Sequence, residues 1–135
     1  MNLEDIAVAD TLAIVQLKNE YCHRIDSGDY AGWADLFTEE GTFAAGEEPI
    51  EGREALQSFG ENVFDEQYER TAHVVTNPVV EVDGDRAAGR FYLRFVTEDP
   101  DGEVGWRHSH YEDELRRVDG EWRFESVSVL PGISP

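Results

Sequence analysis

The sequence predicts an α+β fold in which N-terminal helices pack on one face of a strongly curved, mainly antiparallel sheet. Apolar residues recur at helical spacing only in the first half of the chain. After Arg70 the pattern changes to long alternating runs separated by Asp-Gly turns. Short turns between consecutive strands make the neighbours antiparallel, so the helices must cover one face and the sheet must curve around them.

The elements follow in order. Asp10 reads as the N-cap of a first helix in which Ile14, Leu17, Tyr21 and Ile25 form one stripe, stopped by Ser27-Gly28. Asp29 caps a short second helix carrying Trp33, Leu36 and Phe37, which leaves Asp26 at a tight corner between the two. Thr42 to Ala45 is a short extended piece. Gly52 to Gln67 reads as a third helix through Leu56, Phe59 and Val63, with Gly60 as its weak point. Thr71 to Val82 and Arg86 to Glu98 form a hairpin about Asp83-Gly84-Asp85. Trp106 to Val118 and Glu121 to Leu130 follow, joined by Asp119-Gly120. No internal repeat or low-complexity linker interrupts them.

The 135 residues suffice for one domain, and 40% hydrophobic content supports a real core. Thirty acidic residues oppose eleven basic ones, of which Lys18 is the sole lysine, giving a net charge of -19. Such a polyanion lacks the basic patch that nucleic acids or anionic lipid require, so neither is an expected partner. Its self-repulsion is relieved by salt, which points to a halophile-like, salt-rich cytoplasm. No run approaches the roughly 20 apolar residues of a membrane span, and the acidic start Met1 to Asp10 lacks a signal-like basic region. The expected location is cytoplasmic. One cysteine, Cys22, excludes an internal disulfide and reads as a small buried hydrophobe.

Three groups of residues can carry chemistry. His73, Val75 and Asn77 share a strand face, which suits either a polar-lined pocket or the cap of an open sheet end. Tyr21 lies on the helix-one stripe and Asp26 at its end; each has a bland alternative, a core tyrosine and a turn residue. His108, His110 and Glu112 share one face of the third long strand, with Ser109, Tyr111, Asp113 and Leu115 on the other. The first set has metal-binding types, but no fourth ligand is identifiable, and Leu115 marks the opposite face as buried. Tyr111 and Asp113 are therefore the better pocket candidates. Trp106, Trp122, Phe91, Leu93 and Phe95 read as core and pocket wall, since no glycine-rich phosphate loop accompanies them.

Several runs, from roughly Leu12 to Val129, resemble the SnoaL-like branch of the NTF2-like superfamily. They are Tyr21-Cys-His-Arg-Ile-Asp-Ser-Gly-Asp29, Leu36-Phe-Thr-Glu-Glu-Gly41, Glu51-Gly-Arg53, His73-Val-Val-Thr-Asn77, Val82-Asp-Gly-Asp-Arg-Ala87 and Asp119-Gly-Glu-Trp-Arg123. The resemblance implies a cone of helices and curved sheet around a deep cavity. Two dehydratases of that superfamily, acting on scytalone and on bile acids, use an Asp ending helix one and a His starting the first long strand; Asp26 and His73 match these positions. Tyr21 matches the bile-acid enzyme's tyrosine, five residues before the Asp. Thr97 and Tyr111 stand where the scytalone enzyme has a histidine and an asparagine, so the chain departs from that pocket.

The resemblance thus implies Tyr21, Asp26 and His73 as a catalytic set, with Trp33, Phe37, Phe43, Phe59, Val75, Asn77, Phe91, Tyr111 and Asp113 shaping a site for a small hydrophobic molecule. His73 would act as general base beside a carbonyl, oriented by Asp26, with Tyr21 donating to the developing enolate oxygen, in a lyase or isomerase that needs no metal or organic cofactor. A noncatalytic binder, an assembly role like the β-subunit of a ring-hydroxylating dioxygenase, and hydrolysis remain alternatives, because fold does not determine reaction. By the same resemblance the expected assembly is a homodimer through the outer face of the sheet.

Overall fold

The computed structural model describes residues 2–135, the side chains of Leu3 and Glu4 excepted. Its longest helix, α1 (Leu3–Asp26), starts well before the expected N-cap. Asn2 caps it through a reciprocal box with Asp5, satisfying two of the free N–H groups at the helix start. Asp10 instead lies inside α1 and is buried, accepting from Arg117 at 2.7 Å and from the Trp122 indole at 3.2 Å. A cation and an indole N–H thus compensate its burial, and the carboxylate pins the helix to the far end of the sheet.

Ser27 closes α1, Gly28 takes the left-handed conformation (φ 80°), and Asp29 caps α2 (Tyr30–Ala34) by accepting from Gly32 N–H. Phe37, expected on the second helix, opens strand β1 (Phe37–Ala44). Two contacts draw the chain out of the helix: Phe124 N–H donates to Leu36 carbonyl at 2.9 Å, and the Arg53 guanidinium clamps the Phe37 carbonyl at 2.7 and 2.9 Å. A two-residue strand β2 (Ile50–Glu51) precedes α3 (Arg53–Phe59).

The expected third helix is interrupted. A π-helical turn, Gly60–Phe64, separates α3 from the short α4 (Asp65–Gln67). Gly60 faces the Tyr30 ring, and a Cβ there would meet ring atoms at 2.6 Å. Gly60→Ala is therefore expected to cost about 1–3 kcal/mol, seen as a thermal midpoint several degrees lower. An unchanged midpoint would mean that Tyr30, held by its hydroxyl to Asp65 at 3.0 Å, yields freely.

The sheet runs β2-β1-β6-β5-β4-β3, with β3 (Arg70–Asp83), β4 (Arg86–Glu98), β5 (Val104–Val118) and β6 (Glu121–Ile133). Every pairing is antiparallel except β1 with β6. Register shifts at Thr76/Val79, Phe37/Thr42 and two places along β5/β6 bend the sheet around the helices. Alternation places His73 and Val75, Phe91, Leu93 and Phe95, Tyr111 and Asp113, and Phe124 and Val127 on the inner side, where the buried core lies.

Candidate functional site

The end of α1 and the start of β3 meet at one carboxylate. Asp26 Oδ1 lies 2.6 Å from His73 Nδ1 and accepts the Thr71 hydroxyl at 2.8 Å, while Oδ2 accepts the His73 backbone N–H at 2.8 Å. Burial alone would raise the Asp26 carboxyl, but bonding to the His73 ring, its charge and backbone N–H, and the Thr71 hydroxyl bring it below the usual value. Asp26 is therefore a carboxylate at neutral pH and accepts a hydrogen bond from Nδ1–H of the neutral imidazole, which leaves Nε2 as the lone-pair nitrogen. Nε2 has no protein hydrogen bond among the described residues. The ring lies 4.4 Å from the Phe95 ring and 6.1 Å from that of Phe64, and its side chain keeps 6% of its surface open.

Tyr21 lies elsewhere. Its ring is fully buried, edge-on to Trp33, Tyr111 and Phe124 at 5.6–5.7 Å. Burial holds its phenol well above the usual pKa, and its hydroxyl is engaged by that of Tyr111. Trp33, Phe37, Phe91 and Tyr111, expected to wall a cavity, are likewise packed core residues. Lys18 fills the space among them: its Nζ lies 3.3 Å from the Tyr111 ring centre, 4.0 Å from that of Tyr21 and 3.0 Å from Asp113 Oδ2. Asp113, expected in the pocket, is thus a fully buried counter-ion. The two charges lie at ion-pair distance without an aligned hydrogen bond, and neither Asp113 oxygen has another partner. Burial lowers the Lys18 pKa and raises that of Asp113 against their mutual attraction.

Of the remaining candidates, Val75 is half-buried on the same face as His73, and Phe59 packs partly buried against Phe43 and Phe64. Asn77 does not join them. It is exposed in the left-handed conformation (φ 56°) at the β3 register shift, which breaks the two-residue alternation after Val75. Trp106, expected in the core, is 44% exposed on the outer face. His108 also points outward, against Tyr92 at 5.1 Å, and no group of three metal-binding side chains forms among the described residues. Cys22 is buried, and burial pushes its thiol up to about 12. Thr71 and Lys18 were missed as partners. The alternation that picked His73 also selects Thr71, whereas Lys18 falls four residues after Ile14 and three before Tyr21, on the apolar stripe.

The site belongs to a fold shared by many solved structures. A Mycobacterium tuberculosis protein of unknown function is 30% identical over all of this chain and 77% of its own, with a TM-score of 0.86. A provisionally named scytalone dehydratase of Novosphingobium aromaticivorans superposes with a TM-score of 0.90 at 20% identity, covering 98% of this chain and 91% of that one. The type 3 hexachlorocyclohexane dehydrochlorinase LinA of Novosphingobium barchaimii gives 0.87 at 19% identity, over 96% and 90% of the two chains. No curated protein matches the sequence. At such identities the two enzymes share the fold alone, but the SnoaL-like domain pattern matches residues 7–128, nearly the whole chain, and the protein belongs to the SnoaL-like family.

Proposed function

We propose that the protein is a cofactor-free acid–base enzyme, a lyase or isomerase acting on a hydrophobic cyclic carbonyl compound. The observation that carries this reading is the 2.6 Å contact between Asp26 Oδ1 and His73 Nδ1, with Nε2 left without a protein partner. In this geometry Asp26 fixes the tautomer and stabilises the imidazolium, while Nε2 removes a proton from carbon beside the carbonyl. In a dehydration the same nitrogen returns that proton to the departing hydroxyl. A substrate that displaces the Tyr111 hydroxyl from Tyr21 would meet a neutral phenol able to donate to the enolate oxygen. The dehydratase and dehydrochlorinase among the structural neighbours support the elimination class.

The direct test is proton exchange. Cyclic ketones and β-hydroxyketones are incubated with the protein in D2O and followed by NMR for deuterium at the α-carbon and for loss of water. Catalysis by the wild type that vanishes in His73→Ala supports the reading; exchange no faster than in buffer overturns it. The packed interior around Tyr21 and Lys18 favours a second reading, a noncatalytic binder of the same fold. That reading predicts ligand binding with no exchange.

The assembly we propose is a cytoplasmic homodimer in a salt-rich medium. Its support is the outer face, where Val74, Tyr92 and Trp106 are 44–50% exposed around Arg94. Light scattering in high salt should give twice the chain mass, and Trp106→Glu should halve it.

A further inference from the structure

Across the inner face of the sheet, His73 on β3 pairs in register with Phe95 on β4, and Phe95 with Arg107 on β5. The ring of Phe95 touches both neighbours: His73 is 4.4 Å away centre to centre, and the Arg107 guanidinium lies 5.9 Å from its centre. Strand spacing sets the His73 and Arg107 backbones roughly 10 Å apart. Beside Arg107 opens a cleft of about 620 Å³, lined among others by Thr97, Gly105, Ser109, Val129 and Pro131. Ser109 is buried, so its side chain forms floor and not rim.

Arg107 is unlike the other arginine of its face. Arg117 is saturated by Asp10, Asp85 and the Gly84 carbonyl. Arg107 carries no ion pair or hydrogen bond among the described residues, in a chain where acids outnumber bases almost three to one. An exposed guanidinium left free among so many carboxylates keeps its donor fork available for an incoming anion. The net charge of -19 repels anions at long range, but salt screens that repulsion beyond about 8 Å while a contact pair is screened less.

We propose that Arg107 and its cleft bind the oxyanion end of an organic ligand, of the carboxylate class, whose apolar body lies in the cleft against Val129 and Pro131. Arg107 grips the anion through its fork, and the Thr97 and Ser109 hydroxyls offer further donors. This adds a carboxylate-bearing ligand class to the acid–base reading above without depending on it.

The test compares two fluorescent probes that differ only in the anion: 8-anilinonaphthalene-1-sulfonate and neutral N-phenyl-1-naphthylamine. They are titrated against the wild type, Arg107→Gln, Arg107→Lys and, as a control cation on the outer face, Arg94→Gln. Arg107→Gln should weaken the sulfonate about tenfold and leave the neutral probe within about twofold. Arg107→Lys should fall between, and Arg94→Gln should match the wild type. Absence of saturable sulfonate binding by the wild type would overturn the proposal. So would an unchanged sulfonate affinity in Arg107→Gln, an equal loss for both probes, or an equal loss in Arg94→Gln. Because the readout is probe binding and not proton exchange, failure of the acid–base reading and failure of the anion site are told apart.

Discussion

Asp113→Ala is expected to remove about 3–5 kcal/mol of folding stability, measured by urea unfolding at neutral pH and constant salt. Lys18 has no exposed surface, and its ammonium lies 3.0 Å from this one carboxylate. The Tyr111 and Tyr21 rings, at 3.3 and 4.0 Å, attract the cation but cannot replace the counter-charge. Breaking the pair leaves a buried charge, whereas replacing both partners removes the problem: Lys18→Met with Asp113→Leu should return to within about 1–2 kcal/mol of wild type. Against an ordinary domain stability of about 5–15 kcal/mol, the loss in the single variant is a large fraction of the total. The pH dependence has a definite sign. Burial holds the Lys18 pKa below its ordinary 10.5, so the unfolded chain binds that proton more tightly. Stability of Asp113→Ala should therefore rise with pH from the native Lys18 value toward the unfolded one. A loss below about 1 kcal/mol, or no pH slope, would show that the pair contributes little.

His73→Ala should lower turnover in the exchange assay by about 100- to 10,000-fold while the far-ultraviolet circular dichroism stays unchanged. The ring touches Phe64 and Phe95 at the edge of the core, so its loss need not unfold the chain. Asp26→Asn is the companion variant. It keeps the shape but cannot hold the imidazolium, and it should lose turnover with little change in probe binding. The carboxylate also ties α1 to β3 through Thr71 and the His73 backbone. With its native pKa below the ordinary 3.8, Asp26 contributes stability that is present above that value and is lost as pH falls through the native one. Equal turnover in His73→Ala and wild type would remove His73 from the mechanism.

Asp26 and His73 were legible because each obeys a local rule. Asp26 ends a helix just before a Ser-Gly stop, and His73 begins a strand with a clear period of two. Asn77 was misplaced because the same period was carried across a register shift that no residue before Pro78 announces. Trp106 was misplaced for a different reason: size suggested core, while parity with His108 places it outside. Lys18 was passed over because a lysine on an apolar stripe reads as a solvated side chain, and nothing near it in the chain supplies a counter-charge.

The amino-acid sequence by itself determined the α+β class, the placing of helices before the four long strands, the turns at Asp-Gly, and the inward side of β3 as far as Val75 and of β5 at Tyr111 and Asp113, because these depend on neighbours one to four residues apart. It also determined the net charge of -19. Only the tertiary structure decided that Asp113 neutralises Lys18 across 95 positions, that Asp10 anchors α1 to Arg117 and Trp122, and that Arg107 shares a row with His73. Those outcomes depend on strand register and on which buried charges find partners, and both are settled by packing between segments far apart in the chain.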